Sequence, residues 1–433
     1  MRAPAIVQRL GPAALMGSGL LVVGVSGYGF LALAGHTLST ADASAVASLY
    51  LLINIIGPGV FSALEQETSR NVSAQLARGA DTAMVRRRAL AVGGGLVLIV
   101  VIALLAASPL LVPKALGGQW ALFGALVFGS VTSAAVYLVR GLLGGSRRFG
   151  GYAATLAIEG AARLLPCLVV AAAGVPHAAV YALLFAAGSL FGAAAGLPGL
   201  RGNGTGTDRS GSVATMARAT SVLVGSTLLA QLVANLAPVV VTGRLTTDTA
   251  TAAAFASAFV LVRVPLLVFA PVQAMLLPTL TAAATRGERA TMRRSLRLML
   301  VAVGVVAIAG VLASLVLGPW AVQVFFGAHV RLPAPMLGTL ALGTGGLMVA
   351  QVLQPALVAL DLHRAATLSW LLGSMTLTGL LFLPGDPLRA AVLAQLSGAV
   401  IVVAGMGTAL SSALRGRWHK VPLCEDNLQA DVF

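Results

Sequence analysis

Charged residues are scarce in this chain, at 9% of its 433 residues. A soluble globular domain carries about 25% charged residues, so this chain cannot cover a folded core with a water-facing surface. Aromatic residues make up only 5%, and no segment alternates polar and apolar residues as a membrane β-strand does. Apolar runs of about twenty residues recur instead, each long enough to cross a bilayer as a helix. Composition therefore predicts an all-α integral membrane protein.

Residues that carry chemistry are also few. The two cysteines, Cys167 and Cys424, provide neither a disulfide framework nor a metal-ligand set, and the five histidines are scattered. On the predicted outer side, the connections hold only Asp42, Asp248 and Asp386 as carboxylates. No Ser-His-Asp candidate or phosphate-binding glycine loop is present. We therefore expect no enzyme, no metal and no cofactor.

The formal net charge of +15 is distributed in short basic clusters between the apolar runs. There is no basic domain with interleaved aromatic residues, so we expect no nucleic-acid partner. Nearly all lysines and arginines fall in alternate connections, which predicts both termini in the cytoplasm and an even number of spans. The exceptions in the other connections are Lys114, Arg244, Arg331 and Arg389.

Twelve membrane-spanning helices are predicted from the apolar runs. Arg2 and Arg9, an apolar stretch and then Ala32-Leu33-Ala34 also resemble a signal peptide with its cleavage site, but the stretch is long for one. The predicted spans are 13–34, 41–64, 89–112, 120–143, 151–174, 177–198, 215–242, 250–280, 296–318, 334–360, 365–384 and 388–413.

The second half of the chain repeats features of the first. Ala77-Arg78-Gly79 matches Thr285-Arg286-Gly287, and Pro58 and Gln66 match Pro265 and Gln273, at offsets of 208 and 207. An offset of six helices keeps the orientation, so the repeats would be parallel. Chance similarity between arginine-rich loops is the alternative. We predict a six-helix lobe at 1–200, a glycine-rich cytoplasmic linker at 201–214, a second lobe at 215–414 and a cytoplasmic tail at 415–433.

Three charged residues lie well inside predicted helices, where each costs about 2.5–3.5 kcal/mol and usually faces a cavity or a partner. Glu159 and Arg163 are four residues apart, so they can pair on one helix face. Arg163 lies about 18 Å in from Gly151 at 1.5 Å per residue, near the midplane. Such a pair either staples two helices together or forms part of a site. Arg263 lacks an acidic residue within one turn, so it needs an anion from another helix or from a ligand.

Other polar residues and helix breaks are weaker indications of a transport site. Glu65 and Glu67 are candidate ion-coupling residues, although local salt bridges at a solvated helix end explain them as well. Gln273 is one of several uncharged polar residues that either bond neighbouring helices or line a cavity. Gly57-Pro58-Gly59 in the second predicted helix and three prolines in the eighth interrupt corresponding helices of the two repeats, as at transporter sites. Those prolines, which are alternatively simple kinks, are Pro265, Pro271 and Pro278.

The segment from Arg263 through these prolines and Leu280 to Arg286-Gly287-Glu288, together with 64–70, resembles polysaccharide and lipid-linked oligosaccharide flippases. These belong to the multidrug/oligosaccharidyl-lipid/polysaccharide (MOP) exporter superfamily. The resemblance implies two six-helix lobes around a cavity that opens alternately to either side, and an undecaprenyl- or decaprenyl-pyrophosphate-linked glycan as substrate. No charge lies between Arg9 and Asp42, unlike the cationic first helix expected of lipid II flippases.

The predicted function is therefore a lipid-linked oligosaccharide flippase of a bacterial cytoplasmic membrane. Arg163 and Arg263 would hold the pyrophosphate, with Glu159 and Gln273 nearby and Arg140 at the cytoplasmic mouth. Expected partners are the anionic lipid-linked glycan, membrane lipids and glycan-polymerising or glycosyltransferase membrane proteins. One alternative is an ion-coupled drug or small-solute exporter of the same fold. Another is a non-transporting scaffold of a glycan-assembly complex, which would lack a hydrophilic cavity.

Overall fold

The computed structural model describes residues 12–200, 212–266, 288–360 and 362–415. Every long regular element in these ranges is a helix. The helices are α1 (Pro12–Thr37), α2 (Thr40–Ile56), α3 (Ser62–Ala77), α4 (Ala83–Ala115), α5 (Trp120–Gly145), α6 (Phe149–Ala172), α7 (Ala178–Gly196), α8 (Val213–Arg244), α9 (Thr249–Leu261), α10 (Arg289–Val316), α11 (Gly318–Phe326), α12 (Ala334–Ala359), α13 (His363–Leu381) and α14 (Pro387–Arg415).

In the described ranges, eleven helical stretches are long and apolar enough to cross a membrane. They correspond to eleven of the twelve predicted spans. The remaining prediction, 365–384, falls on α13, which is helical but is not one of the eleven. Several polar side chains of α13 bond neighbouring helices: Ser374 Oγ donates to the Leu229 carbonyl, and Trp370 Nε1 donates to Gln354. These polar groups of α13 thus serve in contacts between helices.

The predicted break at Gly57-Pro58-Gly59 takes the form of a π-helical turn. Residues Gly57–Phe61 join α2 to α3, so that one helical stretch runs from Thr40 to Leu76. Pro58 has no backbone N–H to donate, and a π-turn accommodates such a defect without ending the helix. The Ser62 hydroxyl donates to the Pro58 carbonyl, which ties the next turn to the defect.

At the corresponding place in the second half, α9 ends at Leu261 and is followed by a turn at 262–263. Helical conformation resumes at 264–266, where Pro265 lies. The predicted sites at Pro271, Gln273 and Pro278 lie outside the described residues. The predicted domain division also remains a prediction, because most of the linker lies outside them.

Two large apolar cores lie in different parts of the chain. One contains buried residues between Val233 and Leu410. The other contains buried residues between Phe30 and Phe185, joined by four residues of the second half: Val239, Ala256, Val260 and Phe326. Helices α8, α9 and α11 therefore pack against the first half. Helix α10 lies at the periphery, with only 6% of its most apolar window buried.

The two halves also meet where α1 crosses the end of α11. A Cβ atom at Gly35 would lie only 2.0 Å from the carbonyl oxygen of Phe326, and one at Gly327 would lie 2.8 Å from the carbonyl oxygen of Gly35. Gly327 also has a φ of 63°, a conformation that favours glycine. Only glycine permits this backbone-to-backbone contact. A small cavity beside it is lined by Gly35, Phe326, Ala47 and Ala253, among others.

We expect Gly35→Val to separate α1 from α11, because the valine side chain overlaps the Phe326 carbonyl. The measurement is labelling of Ala47→Cys, in a Cys424→Ser background, by a maleimide that cannot cross the membrane. Labelling should be slow with Gly35 and at least several-fold faster with Gly35→Val. Gly225→Val is the matched control, since a Cβ there meets nothing within 4 Å. Equal labelling in all three backgrounds would contradict the importance of this contact.

Candidate functional site

One buried carboxylate in the first half binds two arginines. Glu159 of α6 is 3% exposed, and its Oε1 lies 2.5 Å from Nη2 of Arg163, one turn further along the same helix. Its Oε2 accepts a hydrogen bond from Nη2 of Arg140, which reaches across from α5. The predicted pairing of Glu159 with Arg163 is confirmed. The structure adds Arg140, so the group carries a net charge of +1.

Hydroxyl groups satisfy most of the remaining polar atoms of this cluster. Ser189 of α7 donates to Glu159 Oε1 at 2.7 Å and accepts from Arg163 Nη2 at 2.8 Å. Thr155 accepts from Arg140 Nε at 3.0 Å. The guanidinium carbon of Arg163 lies 4.5 Å from the centre of the Phe185 ring, a cation–π distance. Arg163 Nε, however, is enclosed and has no hydrogen-bond partner.

Glycines of α7 make room for these side chains. A Cβ at Gly188 would lie 2.3 Å from Cγ of Arg163, and one at Gly192 would lie 2.9 Å from Cβ of Glu159. Both glycines and Gly196 recur every four residues, so they form one face of α7. This is the small-residue spacing that lets membrane helices approach closely. The spacing was available in the sequence as a signal for the cluster.

The position of Arg140 differs from the sequence-based prediction. We expected it at the cytoplasmic mouth, but it is only 4% exposed and is bonded to Glu159 and Thr155. The predicted boundary of its helix ended near residue 143, whereas α5 continues to Gly145 and buries this turn. Packing against a carboxylate on the next helix of the chain was not visible in the spacing of residues.

The two candidate ion-coupling carboxylates on α3 have different surroundings. Glu67 is 3% exposed and bonds Arg70 through both carboxylate oxygens, at 2.6 and 2.9 Å, and also accepts from Asn71. Glu65 accepts a hydrogen bond of 2.6 Å from the Tyr152 hydroxyl. The local salt bridge considered for this helix end is therefore present at Glu67. Glu65 has no ion pair at salt-bridge distance within the described ranges.

In the second half, Arg263 has no counter-charge among the described residues. Its Nη1 donates to Oδ1 of Asn235 at 2.9 Å, and its guanidinium carbon lies 4.1 Å from the centre of the Phe259 ring. Asn235 is in turn held by Gln231. Nη2 of Arg263 is enclosed and has no hydrogen-bond partner within the described ranges. Residues 267–287, which follow in the chain, contain no aspartate or glutamate.

An aromatic pair lies beside the first arginine site. The ring centre of Tyr50 of α2 is 5.4 Å from that of Phe185, the ring that lies against the Arg163 guanidinium. The aromatic groups were not selected from the sequence, because an aromatic residue in a membrane helix is ordinary.

No three His, Cys, Asp or Glu side chains in the part of the chain that the structure describes are grouped closely enough to hold a metal ion. The site consists instead of guanidinium, carboxylate, amide, hydroxyl and aromatic groups.

No family model matches the chain. An uncharacterized protein of Mycobacterium tuberculosis, in strains CDC 1551 / Oshkosh and H37Rv, is 28% identical over 362 residues, which cover 81% of this chain and 80% of that protein. An inward-facing multidrug resistance MATE family transporter of the MOP superfamily is 12% identical with a TM-score of 0.72, covering 90% of this chain and 95% of its own.

The lipid II flippase MurJ, in an inward closed conformation, is 11% identical with a TM-score of 0.64, covering 92% of this chain and 87% of its own. A MOP superfamily transporter from Pyrococcus furiosus, for which reversed polarity of the binding pocket suggests a different function, is 14% identical with a TM-score of 0.61, covering 96% of this chain and 100% of its own. The chain has the fold of MOP-superfamily transporters. The predicted fold class, an all-α membrane protein of MATE-like architecture, is confirmed.

We expect Glu159→Gln to destabilise the protein by about 3–5 kcal/mol, because it leaves two buried guanidinium groups without a counter-charge. Arg163→Met should cost less, since Glu159 keeps Arg140 and Ser189 as partners. The measurement is thermal unfolding of the purified variants in detergent. Arg389→Met is the control, because its pair with Asp386 is exposed and contributes about 0–1 kcal/mol. Equal losses for Glu159→Gln and Arg163→Met would contradict the shared role of Glu159.

Proposed function

We propose that the protein moves a polyprenyl-pyrophosphate-linked oligosaccharide, or a related glycolipid, from the cytoplasmic to the outer leaflet by alternating access. The observation that carries this proposal is the Arg263 guanidinium, which is enclosed among helices and has one nitrogen without a partner. A cation inside a membrane protein is costly and usually faces a partner or a cavity. A pyrophosphate group would supply the missing negative charge.

The depth of Arg263 supports a role in transport across the membrane. It lies 14 residues after the start of α9 at Thr249, or about 21 Å along a helix at 1.5 Å per residue. That distance reaches beyond the middle of a hydrocarbon core about 30 Å thick. An arginine suits this position better than a lysine, because a planar guanidinium can bind two phosphate oxygens at once.

The cluster around Glu159 would contribute charge to the same site. One carboxylate bound to two arginines leaves a net charge of +1, and Arg163 still has an enclosed Nε without a partner. Arg163 would therefore attract the anion, while Arg140 and Glu159 fix its side chain. This assigns Arg140 a positioning role and leaves Arg163 and Arg263 as the residues that touch the substrate.

Similarity to known proteins supports the transport class. One neighbour in fold is a flippase of lipid II and another is a multidrug transporter, and both names describe those proteins. The second candidate function is an ion-coupled drug or small-solute exporter. Glu65 favours it, since this carboxylate lies in the helical stretch Thr40–Leu76, accepts a hydrogen bond from the neutral Tyr152 hydroxyl and is thus available to bind a proton or a cation.

A flippase of this substrate would not need a coupling ion. A pyrophosphate linkage carries about two negative charges, and each charge that crosses the membrane contributes about 2.3 kcal/mol per 100 mV. An inside-negative potential would therefore favour outward movement by roughly 4–5 kcal/mol per 100 mV. This benefit remains if Arg263 stays on its own half of the protein while the anion moves.

We expect Arg263→Gln to keep the fold but to abolish flipping, because glutamine is tolerated in membrane helices and carries no charge. Arg263→Lys should retain part of the activity, since a point charge replaces the planar fork incompletely. The measurement is flipping of a fluorescent lipid-linked oligosaccharide in proteoliposomes under an imposed potential. Undiminished flipping by Arg263→Gln would remove this residue from the site. A flipping rate that does not depend on the imposed potential would contradict the proposed driving force.

The same liposomes distinguish the second candidate function, a coupled exporter, from the proposed flippase. A coupled exporter should require a proton or sodium gradient and should lose transport with Glu65→Gln. The proposed flippase should work without any ion gradient when the potential is imposed by potassium diffusion. Glu67→Gln is the comparison within the same helix, because Glu67 is already held by Arg70 and Asn71.

We further propose a bacterial cytoplasmic membrane location with both termini in the cytoplasm, where glycan-polymerising membrane proteins would be its partners. A reporter fused after Phe433 or inserted at Gly204 should behave as cytoplasmic, and one at Gly385 as external, because arginines concentrate on the side of the termini. The measurement is the activity of paired phosphatase and fluorescent reporters. An external signal from Gly204 would exclude the six-plus-six division of the helices.

A further inference from the structure

One face of α8 carries polar side chains that reach from the first half of the protein to Arg263. Thr227, Gln231 and Asn235 recur every four residues, so they lie on the same side of the helix. At one end of this row, the Thr227 hydroxyl donates to the Gly59 carbonyl of the π-helical turn at 2.6 Å. At the other end, Asn235 Oδ1 accepts from Arg263 Nη1 at 2.9 Å. Helix α8 therefore contacts the π-helical turn and Arg263 with the same face.

The orientation of the Asn235 amide is determined by its two partners. A guanidinium group can only donate hydrogen bonds, so Asn235 must turn its oxygen toward Arg263. Its nitrogen then faces Gln231, whose side-chain oxygen accepts at 2.9 Å and whose backbone oxygen lies 3.3 Å away. Gln231 itself packs against the first half, since a Cβ atom at Gly59 would lie 3.5 Å from Cβ of Gln231. Gln231 and the π-helical turn thus fix the direction in which Asn235 presents its oxygen.

Asn235 holds the arginine without neutralising its charge. Asn235 is 8% exposed, and the Arg263 guanidinium also lies against the Phe259 ring, so neutral groups make both of these contacts to the cation. An aspartate has nearly the same shape as asparagine and would pair with Arg263 as Glu159 pairs with Arg163. The amide instead leaves the cation uncompensated among the described residues, with Nη2 enclosed and without a partner there. An anion would supply both the missing charge and the missing acceptor.

Resting on the proposed function, we infer that Asn235 is the specificity-determining residue of the Arg263 site, which it keeps cationic for a phosphate or pyrophosphate head group. Gln231 is a positioning residue, because it acts on the ligand through Asn235. The head group of the lipid would accept from Arg263 Nη2 and contribute the negative charge that residue 235 does not. A cationic molecule would be repelled from the same site, and a neutral one would leave the charge of Arg263 uncompensated.

The test is binding of farnesyl diphosphate to the purified full-length chain in detergent, with farnesol as the uncharged comparison. Asn235→Asp should weaken binding of the diphosphate about tenfold or more, the factor expected for one hydrogen bond to a charged group, because the new carboxylate neutralises Arg263. It should leave binding of farnesol unchanged and should raise the midpoint of thermal unfolding, since a buried cation gains a counter-charge. Gln354→Glu is the matched control. It makes the same change from amide to carboxylate where the partner is the neutral indole of Trp370, so diphosphate binding should not change.

Gln231→Met tests the positioning role in the same assay. Methionine keeps the length of the side chain but removes the oxygen that accepts from Asn235, so the amide loses the bond that orients it. We expect several-fold weaker binding of the diphosphate and unchanged binding of farnesol. Native-like binding of the diphosphate would contradict the positioning role. Equal weakening of both ligands would indicate a packing role alone and would contradict it as well.

Arg263→Gln is measured in parallel and separates this inference from the function on which it rests. If Arg263→Gln weakens diphosphate binding and Asn235→Asp binds as tightly as the native chain, the inference is wrong and the proposed site stands. If Arg263→Gln also binds normally, both are wrong. A lower unfolding midpoint for Asn235→Asp would mean that the carboxylate does not pair with Arg263, and it would overturn the role of Asn235. Equal weakening by Gln354→Glu, or equal weakening of farnesol binding by Asn235→Asp, would likewise overturn it.

Discussion

The Glu159 carboxylate is the interaction on which the first half of the structure depends. Two arginines from two helices converge on it, and Ser189 from a third helix bridges it to one of them. Without Glu159 these guanidinium groups would be buried cations without compensation, which helices in a membrane rarely tolerate. Helices α5, α6 and α7 are therefore held in one arrangement, and α7 can approach closely only because glycines face the cluster.

The arginine of the second half differs from the two arginines that are paired with Glu159. Among the described residues, Arg263 is offset only by an amide and a ring face, and none of them supplies a carboxylate. The protein thus has one buried cationic site that is nearly complete by itself and one that is incomplete. This asymmetry favours an anionic substrate over a cationic drug.

The fold class followed from composition, because few charged residues and repeated apolar runs leave only a helical membrane protein. The Glu159–Arg163 pair followed from their spacing on one helix. The third member, Arg140, could not be assigned, because contacts between helices depend on rotation and depth that a single sequence does not encode. Glu67 and Arg70 illustrate the same limit: their three-residue spacing indicated a salt bridge, whereas nothing indicated that Tyr152 would bind Glu65.

Neutral groups decide how such a site works with a membrane potential. A binding site made only of arginines would bind a pyrophosphate tightly, but any arginine that moved with it would cancel part of the charge being transported. Asn235 holds Arg263 in place from α8 and adds no charge. A cation fixed on one half by a neutral amide would stabilise the anion at the midplane and still release it outward. The membrane potential then acts on nearly the full charge of the substrate.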